Sequence, residues 1–293
     1  MAIHGEPGAG LSSRRGRREE AWQWAISAPA ILFIVFLLVL PLIWLLWLSF
    51  RQGDDFTLAH YARIAFDPAY AESMWLTLRL ALAVTFLCVI VGYPLCYMLA
   101  NTKPWISNLC LILVIVPFWT SLLVRTYAWL VLLQRSGIVN NLLLKAELVE
   151  QPLYLMHNAT GTLIGMFHIM LPFFVLPLYA SLKRIDADLL KAAASVGASP
   201  WTSFWRVYFP LSSSGLVAGA LLVFVVSLGF YITPALLGGG KTITISILLE
   251  RNVNLFMEWG SASSVATVFL LIMGLLFWVA NRFVSLERMF EGG

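Results

Sequence analysis

Between two long apolar runs the chain reads Asp186-Ala-Asp188-Leu189-Leu-Lys191-Ala192-Ala193-Ala-Ser-Val196-Gly197-Ala-Ser199-Pro200-Trp, and continues to Val207-Tyr-Phe209-Pro210. Asp186 is placed to cap a short helix, and Asp188 falls in its first turn, where the helix dipole favours an acid. Leu189, Leu190 and the alanine run favour helix. Gly197 supplies a stop or a sharp turn. Ser199-Pro200 starts a second helix with proline at its first position, and that helix leads into the next apolar run. Leu189, Ala193 and Val196 form a small apolar stripe. A short helix of small residues suits insertion into a groove on another protein. The plainer reading is an amphipathic connector resting on the membrane, and composition alone favours it.

Outward from this loop the chain is apolar on both sides. Six runs, Ala25–Phe50, Trp75–Ala100, Leu109–Leu133, Ala159–Leu182, Ser212–Gly238 and Gly260–Asn281, reach the length needed to cross a bilayer, which is ~20 mostly apolar residues. Only two full charges, Arg79 and Arg125, lie inside them. Of 293 residues, 60% are hydrophobic and 12% are charged, with mean hydropathy +0.84. Soluble domains carry about 25% charged residues, so this chain cannot cover a globular surface with polar groups. A soluble enzyme, a disordered regulator and a disulfide scaffold are excluded. Strand-type alternation is absent, which excludes a β-barrel. The expected fold is an all-α membrane protein of six transmembrane helices, in contact with membrane lipid.

Arg14, Arg15, Arg17 and Arg18 precede the first run. A signal-peptide core spans only ~7–15 residues; this run is far longer, and no A-x-A site follows it. The same length argument sets aside a twin-arginine signal. The first run is therefore an uncleaved span behind a disordered tail at 1–24, with a six-span domain at 25–284 and a C-terminal tail at 285–293. With the N-terminus inside, cytoplasmic segments hold eleven Lys and Arg residues and outer segments six. This bias puts both termini in the cytoplasm. It also accounts for the net charge of +4 without a nucleic-acid partner. The outer loops at 51–74 and 134–158 carry the mixed aromatic and apolar residues of short interfacial helices. Cys88, Cys96 and Cys110 fall in or beside apolar runs and read as buried small apolar residues.

The spacing of the central loop adds a sharper reading. Ala192-Ala193, then Gly197, then Val207, Phe209 and Pro210 resembles the EAA loop of ABC importer permeases. In that family the loop forms a coupling helix that docks on a cytoplasmic ATPase subunit. The family's leading Glu is Lys191 here, an acid-to-base change; Asp188, one turn earlier, is placed to serve instead. Val116-Pro117-Phe118-Trp119-Thr120-Ser121 with Arg125-Thr126-Tyr127 is similar to the third span of spermidine/putrescine-type permeases. Met170 to Tyr179 is similar to their fourth span, and Gly229 to Gly239 to the fifth and the loop after it.

The resemblance implies a type I importer permease subunit in a bacterial inner membrane, half of a translocation path for a polyamine. It implies a second, homologous permease, two copies of a cytoplasmic ATPase that bind ATP and Mg, and an extracytoplasmic substrate-binding protein. This chain itself would hold no cofactor and no metal and would catalyse nothing. The ATPase-coupling residues would be Asp188, Lys191, Ala192, Ala193, Gly197, Pro200 and Pro210. Opines or amino-acid derivatives are alternative substrates. A stand-alone secondary transporter is the rival class, and it predicts coupling-ion carboxylates inside the spans, where none occurs.

Trp119, Tyr127, Phe230 and Tyr231 offer ring faces for a cationic substrate; belt or core packing is the commoner use of any single aromatic. Arg125 costs at least ~2.5–3.5 kcal/mol at membrane depth. It either snorkels to the outer interface or makes an ion pair or gate contact towards a partner permease. Arg79, nearer its span's outer end, reads as a snorkelling residue. Pro117, Pro172, Pro177 and Pro234 are candidate kinks, and Gly161/Gly165 and Gly215/Gly219 are small-residue pairs for close helix packing. His168 reads as packed and hydrogen-bonded, with a proton relay as its isolated alternative. Gly238-Gly239-Gly240-Lys241-Thr242 ends like a phosphate-binding loop, but Ala235 stands where that pattern requires glycine.

Overall fold

The computed structural model describes residues 9–283 apart from Asp54, with 9–26 and 279–283 described by backbone alone. Helix α1 (Ala9–Leu48) carries the first span, Ser27–Leu48. Its backbone begins within the segment expected as a tail, while residues 1–8 and the C-terminal tail at 285–293 lie outside the described residues. A two-residue hairpin pairs Arg51 with Phe56 and Gln52 with Asp55. Short α2 (Ala59–Phe66) follows, the interfacial helix expected of this loop.

Helix α3 (Pro68–Asn101) starts two turns before the expected second span. The cause is a good start signal: Pro68 holds the first position and the Asp67 carboxylate accepts from the Ala69 amide at 3.0 Å. The third span, expected as one helix, is broken. It comprises α4 (Pro104–Ile115), a 3-10 turn at Val116–Trp119 and α5 (Leu122–Leu133). The pieces Pro104–Trp119 and Leu122–Lys145 meet at 103°. Pro117 has no amide hydrogen to continue the ladder, and Thr120 and Ser121 are extended, with ψ 146° and 138°. The Thr120 amide and hydroxyl both donate to the Pro117 carbonyl, at 3.1 and 2.7 Å.

Short α6 (Ile138–Lys145) lies in the second long loop. Helix α7 (Ala159–Lys183) matches the fourth run and stays continuous through Pro172 and Pro177. The loop helices α8 (Ala187–Ser195) and α9 (Pro200–Ser203) are followed by a π-helical turn at Phe204–Tyr208 and by α10 (Phe209–Leu228). The fifth span therefore ends ten residues before its expected boundary. Gly229 closes α10, and a separate α11 (Ile232–Leu237) follows. Then come α12 (Ile245–Asn254) and α13 (Trp259–Phe283). Among the described residues five helices are long and apolar enough to span, and the bent pair makes a sixth when counted as one span.

The core is a three-helix unit of α3, α7 and α10. Phe174 is fully buried at its centre, among Val84, Cys88, Cys96, Met170, Leu178 and Val223. In lipid, apolar burial drives little association, so close packing must hold these helices together. Gly219 supplies it: a Cβ there would stand 2.9 Å from the Phe174 carbonyl oxygen. A polar pair adds to it, with Tyr93 Oη and Ser212 Oγ 2.8 Å apart, and a second pair, Ser107 Oγ and Tyr179 Oη at 2.8 Å, ties α4 to α7. Cys88 and Cys96 are buried as expected, whereas Cys110 is only half-buried. A second, smaller cluster of Tyr70, Ile245 and Val265 joins α3, α12 and α13. Helix α1 packs chiefly on α13 and leaves its flanks open.

Candidate functional site

The loop between α7 and α10 is built by local signals. The Asp186 carboxylate accepts from the Asp188 amide at 2.9 Å and starts α8. At the other end the Gly197 amide donates to the Ala194 carbonyl and the Ala198 amide to that of Ala193, both at 3.0 Å. Gly197 has φ +85°, a region where side chains are strained and glycine is not. Ser199 Oγ accepts from the Thr202 amide at 3.2 Å, with Pro200 opening α9.

The faces of α8 are unequal. Ile185 and Leu190 pack against the core, while Leu189 and Val196 are exposed, at 46% and 84%. Ala193 is half-buried, so the expected stripe divides: its two large members point outward. Trp201 and Trp205, exposed at 72% and 47%, extend this apolar surface. Lys191 Nζ donates to the Asp188 carboxylate at 2.7 Å, with both side chains about three-quarters exposed. The basic residue in the family's acidic position thus already has an acid one turn before it. So exposed a pair contributes little to stability.

Sequence reading missed how this loop is tied to the spans. Phe204 rings contact Tyr97 at 5.6 Å, Trp205 at 5.2 Å and Tyr208 at 6.1 Å. Tyr97 meets Tyr208 at 5.1 Å, Trp205 meets Phe209 at 5.1 Å, and Tyr93 meets Phe209 at 5.8 Å. The Asn101 amide donates to Tyr208 Oη at 3.4 Å. One aromatic cluster therefore joins the loop to α3. Its signal was present as aromatics at 201, 204, 205, 208 and 209, the repeat of one helical face. Pro210 sits exposed in the first turn of α10, directly behind this cluster.

The expected path residues gather on two breaks. Trp119 lies in the 3-10 turn and is 79% exposed; Tyr127 on α5 is 56% exposed. Phe230 and Tyr231 occupy the gap between α10 and α11. Phe230 packs into the core and its carbonyl accepts from Ser246 Oγ at 3.1 Å, whereas Tyr231 is 38% exposed. Helices α5 and α11 pack together, with Thr126 Oγ1 3.4 Å from Thr233 Oγ1. The two breaks thus lie on adjoining elements, but the four rings make no ring contact with each other among the described residues. Arg125 is half-buried and Arg79 is exposed. His168 was expected to be hydrogen-bonded; instead its Nδ1 is buried without a partner, and its ring meets Trp129 edge-on at 5.5 Å.

Comparison with known proteins agrees with this architecture. Residues 92–286 match the family model of the binding-protein-dependent transport system inner membrane component. The chain is 35% identical over 263 residues to the spermidine/putrescine transport system permease protein PotB of Salmonella typhimurium, covering 86% of this chain and 91% of that one. It is 34% identical to the PotB of Escherichia coli, covering 86% and 95%. The inner membrane ABC transporter permease protein YdcU of Escherichia coli is 33% identical, with 70% and 75% covered. Among solved structures, a chain of a bacterial ABC transporter that imports alginate superposes with a TM-score of 0.74 at 18% identity, over 93% of this chain and 99% of that one. A chain of the MetNI methionine ABC transporter reaches 0.57 at 16% identity, over 75% and 97%. These two likenesses speak to the fold alone. With a family model over more than half of its length, relatives of about 35% identity over most of it, and a helical fold shared with ABC transporter chains, the chain belongs to the binding-protein-dependent transport system inner membrane components, the multi-pass permease subunits of ABC importers.

Proposed function

We propose that this permease imports a polyamine of the spermidine/putrescine type. It pairs with a second, homologous permease, two copies of a cytoplasmic ATPase and an extracytoplasmic binding protein. Both termini then lie in the cytoplasm, on the side of α8. The observation that carries the reading is the exposed Leu189–Val196 face of α8, on a loop fastened to the spans by aromatic packing. An apolar helix face of this kind suits a groove on a partner. Identity of about 35% to permeases named for spermidine and putrescine supports the substrate class.

In this reading ATP and Mg are held by the ATPase, which supplies the energy; the permease converts the movement. As two ATPase copies close, α8 is carried with them. The π-helical turn runs without a break into α10, and the Phe204 cluster grips α3. Displacement of α8 therefore moves α3, α7 and α10 as a packed body. The broken helices α4–α5 and α10–α11 flank that body, and broken helices are tolerated where they line a cavity. Trp119, Tyr127 and Tyr231 then offer ring faces to the substrate's ammonium groups, with Phe230 supporting the break from the core.

The test is uptake of labelled spermidine and putrescine by cells that carry the complete transporter and no other polyamine importer. Uptake is expected to stop when ATP is depleted with the proton gradient intact, and to fall for Tyr127→Ala and Tyr231→Ala. Uptake that survives ATP depletion refutes the energy source. Normal uptake by alanine variants of all four aromatics refutes the site.

A further inference from the structure

Where the first span ends and the last begins, two cavities adjoin. Leu48 closes the first span and Trp259 opens the last, so both lie at one edge of the membrane, where Trp47, Phe56 and Trp259 are exposed as interfacial aromatics are. Helix α3 starts at this edge and ends beside the α8 loop, where Lys183 Nζ donates to the Ala100 carbonyl; the edge is therefore the one opposite α8. The first cavity, of about 510 Å³, is lined by Arg51, His60, Arg63, Glu258, Trp259 and Ser261. His60 is already engaged, with Nε2 3.2 Å from the Arg51 carbonyl oxygen and Nδ1 3.0 Å from Ser261 Oγ. Arg63 Nη1 donates to Glu258 Oε2 at 2.8 Å, and Ser261 Oγ donates to the same oxygen at 2.9 Å. Arg63 Nη2 and Glu258 Oε1 have no partner among the described residues, and the two side chains are 47% and 43% exposed.

The second cavity, of about 160 Å³, is a slot between α2, α3, α12 and α13, lined almost wholly by apolar side chains, among them Ile64, Met74, Ile245, Val265, Val268 and Ile272. It begins where the first stops. Arg63 and Ile64 are consecutive on α2, and Ser261, Val265, Val268 and Ile272 follow one face of α13 from the polar cavity into the apolar one. Ala71, which also lines the slot, is exposed, so the slot opens to its surroundings. A slot this apolar does not hold water, and left empty it forfeits the contacts of its lining. In a bilayer the filler at hand is an acyl chain.

We propose that the two cavities are one site for a single phospholipid with a phosphoethanolamine headgroup: its phosphate accepts from Arg63, its ammonium donates to Glu258, and one acyl chain fills the slot. A phosphate and a primary ammonium answer an open donor and an open acceptor held side by side. A phosphoglycerol head brings no cation to Glu258 and sets its own anion against that carboxylate. A phosphocholine head has no N–H to donate. The bound lipid ties α2 to α3, α12 and α13, away from the rings offered to the substrate, and it stands apart from the substrate reading.

The test starts with the full chain, tagged and extracted from its own membrane in mild detergent, with retained lipid read by native mass spectrometry. One phosphatidylethanolamine per chain is expected. In nanodiscs of phosphatidylcholine doped with a phosphatidylethanolamine that carries a diazirine midway along one acyl chain, illumination should label Met74, Val268 or Ile272; this readout needs no variant. Arg63→Ala and Glu258→Gln should each lower occupancy roughly tenfold or more, and Arg63→Lys should recover much of it. Ala71→Trp, which blocks the slot, should abolish the label. Thermal unfolding in phosphatidylcholine alone checks that the variants fold; added phosphatidylethanolamine should then raise the melting temperature of wild type and leave that of Ala71→Trp unchanged. The proposal is overturned by label only outside the slot, by equal retention of phosphatidylglycerol or phosphatidylcholine, or by undiminished label with Ala71→Trp. It is also overturned if glycerophosphoethanolamine, which has no acyl chain, competes as well as the lipid does.

Discussion

Replacing Gly197 by alanine isolates the backbone contribution to the loop. Gly197 turns the chain between α8 and α9 at φ +85°, and a Cβ built there meets nothing within 4 Å. Alanine therefore introduces no collision, only the strain of the left-handed conformation, about 1–2 kcal/mol. At 1.4 kcal/mol per decade this lowers the fraction of loops holding the bent turn about five- to thirtyfold. If the ATPase reads the bent form, its affinity falls by the same factor. Asparagine visits this region more readily, so Gly197→Asn should lie between wild type and alanine. Proline is locked at negative φ and should abolish binding. The assay is titration of purified ATPase onto the permease in lipid nanodiscs, with circular dichroism to check that the spans stay folded. An affinity for Gly197→Ala within about twofold of wild type would refute the reasoning, as would an asparagine variant as damaging as proline.

Three further outcomes follow from the packing. Gly219→Ala places a Cβ 2.9 Å from the Phe174 carbonyl oxygen, and overpacking of this kind costs ~1–3 kcal/mol; thermal unfolding in detergent should come several degrees earlier, and an unchanged transition would contradict the close packing of α7 and α10. Phe204→Ala removes the hub of the aromatic cluster, so the ATPase should still co-purify while substrate moved per ATP hydrolysed falls; equal losses of binding and transport would show that the cluster does not transmit motion. Asp188→Ala breaks the exposed pair with Lys191 with little change in melting temperature but weaker ATPase association, whereas Lys191→Ala keeps the association; the reverse pattern would reassign the contact to Lys191.

Which parts were legible beforehand depended on how local the signal was. The caps of α8 and α9 could be read directly, since Asp186, Ser199, Pro200 and Gly197 act on backbone within three residues of themselves. The breaks at Val116–Ser121 and Gly229–Tyr231 were marked by proline and glycine but not predicted as breaks. Pro172 and Pro177 bear the same mark inside an unbroken α7. Proline at membrane depth bends or breaks a helix according to what re-satisfies the carbonyls left free around it; where the helix stops after Trp119, Thr120 supplies the donor for the carbonyl of Pro117. The aromatic cluster needed a partner 107 residues before Phe204, Tyr97 on α3, before its helical spacing acquired a role.

Composition and run length by themselves determined that the chain spans a membrane as helices, because a bilayer accepts only segments that satisfy their own backbone. Spacing within one polar loop determined the family resemblance and the ends of α8. Only the tertiary structure decided which faces of α8 and α5 are left open, where the third and fifth spans break, and that Arg125 Nε and His168 Nδ1 are each buried without a partner. Those outcomes depend on contacts between segments far apart in sequence. In lipid, where every helix surface is equally apolar, hydrophobicity alone does not select among such contacts.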